Sequence, residues 1–376
     1  MFNLEQLSAA HPLASSYGWD AGYAESFAPF AEQGFLPGRI VRVDRGRVDA
    51  VVPDGDGVTT VLADTALVAT SDPTRVPCTG DWAAVDLVNG PGGGVVRATL
   101  PRRTAFVRST SSKRSEGQIL AANVDHAVIA VSLAVELDLG RVERFVTLSW
   151  ESGAQPLIVL TKADLVGDPV TLSHLVEDTQ STAPGVQVLA VSAATGEGLE
   201  VLAAVLAGGT AVLLGQSGAG KSTLANALVG TDVQDVRATR DQDGKGRHTT
   251  TTRDLLPLPG GGVLIDTPGL RGVGMWDAES GLTRTFSDIE ELAAECRFHD
   301  CAHEAEPGCA VLEAVEHGVL AQRRLDSYRK LLRENQRIVA KTDARLRAEM
   351  RRTWKQQQML GRHMMERKRG GGGQRR

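Results

Sequence analysis

A chain of 376 residues is long for one hydrophobic core and implies two or three domains. With 42% hydrophobic and only 4% aromatic residues, and no apolar run of membrane-spanning length, it reads as a soluble globular protein and not an integral membrane protein. The net charge of −5 conceals an asymmetry: residues 341–376 carry 12 Lys/Arg against 3 Asp/Glu, a local +9 that leaves −14 on residues 1–340. Residues 1–36 hold Pro12, Pro29 and scattered aromatics without sustained periodicity and read as an appendage. From Arg39 onwards, short β-type runs at Ile40–Val43, Arg47–Val52, Val58–Leu62 and Trp82–Leu87 alternate with Asp, Gly and Pro turns, the mark of a small all-β barrel over residues 37–104. An OB-fold and an SH3-like barrel both meet that pattern, and OB surfaces commonly bind oligonucleotides. The run from Pro91 to Gly94 has no strand-to-helix context and reads as a loop, and Cys78 reads as an ordinary core residue.

Leu157–Leu160 predicts a buried strand delivering Thr161, Lys162, Ala163 and Asp164, and Val188–Val191 predicts the next, delivering Ser192 and Ala193. Apolar Ala211–Leu214 then leads into Gly215, Gln216, Ser217, Gly218, Ala219, Gly220, Lys221 and Ser222, a match to G-x-x-x-x-G-K-[ST] that opens a helix through Leu228. Backbone N–H groups of such a loop point at phosphates, and the helix N-terminus adds positive potential. Lys221 would reach the β- and γ-phosphates and Ser222 would hold Mg²⁺, with Thr223 completing the contacts of that turn. Val263–Asp266, followed by Thr267, Pro268 and Gly269, predicts a strand ending in a metal-side Asp and a glycine near the γ-phosphate.

In GTP-binding proteins the Lys of the Thr-Lys-Ala-Asp motif packs along the guanine ring. The Asp accepts hydrogen bonds from N1–H and N2–H₂, donors that adenine lacks, and the Ser-Ala backbone meets O6. Together these motifs predict a guanine nucleotide site with Asp164 as its base reader. The base motif precedes the P-loop instead of following it, so the parts are rotated along the chain. A site assembled at the carboxyl ends of neighbouring parallel strands tolerates that rotation.

Cys296, Cys301, His303 and Cys309 follow the pattern C-x4-C-x-H-x5-C. A Cys₃His set fills all four tetrahedral positions of zinc, which predicts one structural ion; His299 falls between the ligand positions. No signal peptide precedes the chain, so a reducing cytoplasm is expected, where clustered thiols favour metal over disulfide. Val311–Gln336 predicts helix, with Leu325, Tyr328, Leu331 and Leu332 on one face. The basic tail is an electrostatic footprint for nucleic acid.

The order base motif, P-loop, switch, Asp-x-x-Gly is that of circularly permuted GTPases. With Leu100-Pro-Arg-Arg103, Ala121-Ala-Asn-Val-Asp125, Gly246-Arg-His-Thr-Thr250 and the cysteine cluster, the chain resembles the bacterial small-ribosomal-subunit biogenesis GTPases of the RsgA (YjeQ) family from about Gly38 to about Asn335. The resemblance implies a multidomain fold. After the appendage come an N-terminal OB-fold β-barrel (37–104), a circularly permuted α/β P-loop GTPase domain (105–280), a C-terminal helical zinc-binding domain (281–340) and a basic, partly disordered tail (341–376). It also implies hydrolysis of GTP to GDP and phosphate with Mg²⁺, one Zn²⁺, and docking on the small ribosomal subunit and its ribosomal RNA. Beside it, the composition gives no membrane contact and nothing in the sequence suggests an obligate dimer, so a monomer is expected. The sequence departs where the usual Asn of the base motif is Thr161. Asn contacts guanine N7 and braces the P-loop; a Thr hydroxyl does part of this.

Phosphoryl transfer needs charge neutralisation and a positioned water more than covalent chemistry. Lys221 and the magnesium on Ser222 supply the first. A switch Thr completes the metal shell; Thr249 and Thr250 are the candidates, spacing does not separate them, and Thr250 is carried as the expected ligand. Many GTPases orient water with a Gln directly after the Asp-x-x-Gly glycine, where this chain has Leu270. The resemblance makes His248 the expected catalytic group instead. Slow intrinsic turnover, accelerated when a partner orders the segment between about Arg237 and Arg253, is the expectation. An RNA-binding nucleotide sensor with negligible hydrolysis is the alternative; an ATP-using P-loop enzyme is opposed by Lys162 and Asp164.

Overall fold

The computed structural model of the protein describes residues 7–87, 93–109, 117–230, 253–266 and 278–342. Strands β1 (Leu36–Asp44), β2 (Arg47–Asp54), β3 (Gly57–Asp64), β4 (Trp82–Asp86) and β5 (Gly94–Thr99) close a barrel in the order β1-β2-β3-β5-β4. β4 returns antiparallel to β1, and β3 meets β5 in parallel. That order is the OB topology, which decides between the two barrel types. Alternate residues such as Val48, Ala50 and Val52 of β2 point inward, packing with Ile40, Val61, Val85 and Val96.

Two helices, α1 (Pro12–Ser15) and α2 (Ala21–Ala31), cover the outer face of this barrel. Asp20 caps α2 by accepting from the amides of Gly22 and Tyr23. Trp19, Tyr23 and Phe27 stand one helical turn apart, and ring centroids lie 4.9 Å from Trp19 to Trp82 and 5.5 Å from Tyr23 to Trp82. Arg103, on the way to the hairpin β6 (Ala105–Ser109) and β7 (Gly117–Ala122), pairs with Asp20 and lies 3.7 Å over the Tyr23 ring.

Six strands form the second sheet: β8 (His126–Ser132), β9 (Gln155–Thr161), β10 (Gln187–Val191), β11 (Thr210–Leu214), β12 (Asp254–Pro257) and β13 (Val263–Asp266), in the order β10-β9-β8-β11-β13-β12. All pairings are parallel except β12 with β13. Both faces are covered, so the strands read as continuous apolar runs. Val128, Val159 and Leu213 pack with α5 (Leu199–Leu206) and α6 (Lys221–Val229), while Ile129, Ile158, Leu160 and Leu214 face the opposite side with α3 (Leu139–Ser152). α4 (Pro169–Thr182) connects β9 to β10.

α7 (Glu279–Thr285), α8 (Ser287–Ala293), α9 (Ala310–Glu316) and α10 (Gln322–Thr342) follow. The single helix expected over 311–336 is broken at Gly318. Its φ of +71° is left-handed, and the amides of Val319 and Leu320 turn back to the Ala314 carbonyl as a C-terminal cap. Leu325, Tyr328 and Leu331 are buried, with the Tyr328 ring 5.3 Å from that of Phe286. Arg324, only 4% exposed, donates to Glu143 of α3, to Asp288 of α8 and to the carbonyls of Thr182 and Thr285. One apolar cluster therefore runs from Leu13 through the outer barrel face and the sheet to Leu331.

Candidate nucleotide site and metal centre

The parallel strands β9, β10, β11 and β13 deliver their following loops to one edge of the sheet, so the sequence-predicted residues meet there. Between β11 and α6 the chain turns through Gly215 (φ +138°), Gly218 (φ +82°) and Gly220 (φ +80°). In such a loop the amides face the anion and the carbonyls turn outward, where they need donors of their own. The base motif supplies them. The Thr161 hydroxyl donates to the Ala219 carbonyl at 2.8 Å, and the Lys162 ammonium donates to the Gly218 carbonyl at 3.0 Å. Lys221 folds back on the Gly215 carbonyl at 2.7 Å and also reaches that of Gln216. Lys162 takes a left-handed φ of +62°, which turns its side chain over the P-loop and sends the chain into the short 3₁₀ turn Ala163–Leu165.

Asp164 is aimed by a contact that the motif alone did not signal. The Ser192 hydroxyl donates to Asp164 Oδ1 at 2.6 Å, while Ser192 Oγ accepts from the amides of Ala194 and Thr195. The sequence marked Ser192 and Ala193 for their backbone; the side chain of Ser192 holds the Asp164 carboxylate as well. Thr161, Lys162, Asp164, Ala193, Gly220 and Thr223 line a cavity of about 250 Å³, with Leu165 and Leu224 as apolar walls. Ser222 stands exposed on the first turn of α6, and Asp266 ends β13. His248, Thr249, Thr250, Gly269 and Leu270 lie outside the described residues, as does the tail beyond Thr342.

The cysteine cluster forms as its spacing predicts. The ligand atoms of Cys296, Cys301, His303 and Cys309 all lie within 4.8 Å of one another. Cys296 Sγ is 3.8 Å from Cys309 Sγ, and His303 Nδ1 is 3.6 and 3.4 Å from the same two sulfurs. Tetrahedral zinc with bonds of about 2.3 Å to sulfur requires edges of about 3.8 Å, so the set fits one ion and leaves no open position. His303 adopts a left-handed φ of +56° to bring its ring inward, and burial favours its neutral, ligating form. Cys309 also caps α9 by accepting from the Leu312 amide. Glu306 clasps the loop between these ligands through the amides of Ala302, Glu304 and Ala305. Cys78 stands apart, buried, with its thiol pushed up to about 12 by burial and by the neighbouring Asp81 carboxylate.

The family model of the RsgA GTPase matches residues 99–276, which contain the base motif and the P-loop. A protein named small ribosomal subunit biogenesis GTPase RsgA from Streptomyces avermitilis is 70% identical over 363 residues, covering 96% of either chain. The chain belongs to the RsgA GTPase family. A more distant relative of the same name from Opitutus terrae is 42% identical over 351 residues, 91% of this chain and 95% of that one. Two solved structures share the fold. YjeQ from Thermotoga maritima is 26% identical with a TM-score of 0.59, covering 80% of this chain and 98% of that one. YloQ, described as a circularly permuted GTPase, is 25% identical with the same TM-score, covering 80% and 95%. As an RsgA GTPase the protein hydrolyses GTP, and its strand order β10-β9-β8-β11-β13-β12 carries the permuted connection.

Two features of this RsgA chain had no local signal in the sequence. Arg39 of β1, 1% exposed, donates to the Thr210 hydroxyl at 2.8 Å and lies over the Trp82 ring, joining the barrel to the start of the P-loop strand. Glu143, fully buried on α3, receives both Arg323 and Arg324. Their partners lie 171 and about 180 residues away, beyond the reach of any periodic pattern.

Proposed function

We propose that the protein is a GTPase of small ribosomal subunit assembly, with guanine held by Thr161, Lys162, Ala163, Asp164, Ser192 and Ala193. Gly215–Ser222 and Thr223 take the phosphates, with Ser222 and Asp266 on the magnesium side. The observation that carries this reading is the delivery of the base motif, the Ser-Ala turn, the P-loop and Asp266 to one edge of one sheet, with Thr161 and Lys162 bonded to the P-loop. His248, Thr250 and Gly269 complete the assignment from sequence: His248 orients water, Thr250 joins the magnesium shell and Gly269 stands by the γ-phosphate. Lys221, released from its carbonyl partners, would reach the β- and γ-phosphates and neutralise charge as the γ-phosphoryl departs. Zinc at Cys296, Cys301, His303 and Cys309 would supply cross-linking, not chemistry, because the set is closed.

The relatives' printed name supports the small subunit as partner. An OB barrel and a tail of local +9 suit ribosomal RNA, in the cytoplasm. GTP and GDP states that differ in affinity for the particle would drive docking and release. The test is steady-state GTP hydrolysis with and without small subunits, with ATP as control. Slow basal turnover that rises steeply with the particle is expected. Turnover indifferent to small subunits would overturn the ribosomal assignment, and equal use of ATP would overturn the guanine site.

A further inference from the structure

The nucleotide site spends a hydrogen-bond donor in an unusual place. A threonine hydroxyl carries one proton. At Thr161, which is 5% exposed, two backbone carbonyls approach that hydroxyl: Ala219 of the P-loop at 2.8 Å and Val131 at the end of β8 at 3.3 Å. Both are acceptors only, so the proton goes to one of them and the shorter, P-loop contact takes it. A β-branched side chain at the end of a buried strand is restricted about its first torsion, which holds the hydroxyl between these two carbonyls. An asparagine in the same place offers two N–H groups and can brace the loop while also donating to a base nitrogen. Of the other donors around the cavity, the Ser192 hydroxyl goes to Asp164, the Ala194 amide to Ser192 and one of the three Lys162 ammonium protons to Gly218, while the Thr223 hydroxyl also lines the cavity.

Resting on the guanine-site reading above, we propose that Thr161 positions the P-loop and leaves the N7 edge of the base without a donor. The protein then reads guanine through N1–H, N2–H₂ and O6 alone. It binds a guanine nucleotide carrying C–H in place of N7 as well as the natural one. Thr161 is thus a positioning residue, acting on phosphates through Ala219, and base selection falls to Asp164 and the Ser192-Ala193 turn.

The experiment is a titration of the full chain, with Mg²⁺, against GDP and 7-deaza-GDP, read by calorimetry, with inosine diphosphate as a probe of Asp164. A single neutral hydrogen bond is worth roughly two- to tenfold in affinity. Native protein is expected to bind GDP and 7-deaza-GDP within about twofold of each other and to weaken on inosine diphosphate, which lacks the N2 amine. Thr161→Val keeps the shape and removes the brace, so both guanine nucleotides should weaken by the same factor and their ratio stay near one. Thr161→Asn should acquire a preference for GDP over 7-deaza-GDP in the same two- to tenfold range. A native preference of fivefold or more overturns the proposal; its survival in Thr161→Val would move the N7 contact to Thr223, the other hydroxyl lining the cavity. A ratio of one in Thr161→Asn would overturn the placement of N7 beside residue 161. Failure of the native chain to bind either nucleotide would instead overturn the guanine site itself.

Discussion

Gly215→Ala puts the geometry of the P-loop to a quantitative test. A Cβ at residue 215 would lie 2.4 Å from the Ala130 carbonyl oxygen and 3.4 Å from its carbon. Carbon–oxygen contacts in proteins begin near about 3.3 Å, so β8 and the P-loop would have to part by about 1 Å. Both sides are backbone, with no flexible side chain to yield. The φ of +138° adds strain for any residue with a Cβ. Overpacking of about 1–3 kcal/mol and backbone strain of about 1–3 kcal/mol together give roughly 2–6 kcal/mol. Gly218→Ala is the internal control: its φ is +82°, but no atom lies within 4 Å of the added Cβ. Only the left-handed cost of about 1–2 kcal/mol applies there. Thermal melts of the two variants without nucleotide isolate folding from phosphate contact. At about 2–4 °C per kcal/mol, Gly215→Ala should melt about 4–24 °C below the native chain and Gly218→Ala about 2–8 °C below. GDP affinity of Gly215→Ala should fall at least tenfold, since the loop itself is displaced. A Gly215→Ala melt within 2 °C of native, or a larger loss for Gly218→Ala, would refute the reasoning.

Asp164→Asn exchanges an acceptor for a donor and should cut GTP affinity about 100-fold while raising that for xanthosine triphosphate, whose C2 carbonyl accepts; competition binding with both triphosphates decides it. Cys309→Ser keeps a capping oxygen for α9 but removes one zinc ligand, so zinc content should fall from one ion per chain towards none and the melting temperature should fall with it; metal analysis with thermal melts tests this, and a full zinc complement would contradict the ligand set. Arg324→Ala leaves Glu143 and Asp288 without their shared partner and should cost about 3–5 kcal/mol, seen as a lower denaturant midpoint; a change under about 1 kcal/mol would mean Arg323 compensates. Asp20 is held below its ordinary value of 3.8 chiefly by hydrogen bonding to Arg103, so its contribution is whole above that pH and is lost as pH falls below it. The stability gap between native chain and Asp20→Ala should stay constant from pH 8 to pH 5 and close in stronger acid.

The nucleotide motifs were legible because each depends on a short run with a fixed backbone role: a strand, then a loop whose residue types are dictated by phosphate, base or metal. The cysteine cluster was legible for the same reason, since four ligands within 14 residues constrain one another by spacing. The covering helix α2 was harder. Trp19, Tyr23 and Phe27 do repeat at four residues, but Pro12 and Pro29 obscure the pattern, although Pro12 sits harmlessly in the first turn of α1. β5 was missed because Gly94–Thr99 follows directly on a glycine-rich run that reads as loop, although it pairs antiparallel with the preceding strand β4. The break at Gly318 is a one-residue event inside an otherwise helical pattern. Arg39, Glu143 and Arg324 show the real limit: a lone charge in a strand or helix looks like surface until a distant partner buries it.

The rotated order has a structural consequence that an ordinary order would not have. The barrel precedes β8 in the chain and the helices around the cysteine cluster follow β13, and the P-loop strand β11 lies between β8 and β13 in the sheet. Each attachment is more than a tether. On the barrel side Arg39 holds Thr210, the first residue of β11, and the Thr79 hydroxyl donates to the Arg253 carbonyl at the start of β12, beside the Arg42–Asp254 pair. On the other side Asn335 of α10 accepts from the Ala278 amide, and Arg324 locks α10 to α3 and α8. One apolar cluster is continuous from Leu13 to Leu331, so a displacement of either outer module would have to be accommodated by repacking against the strands that lead to the nucleotide loops. The buried Arg39 makes the barrel seam sensitive to such displacement, since moving it from Thr210 would cost a buried guanidinium one of its few hydrogen bonds.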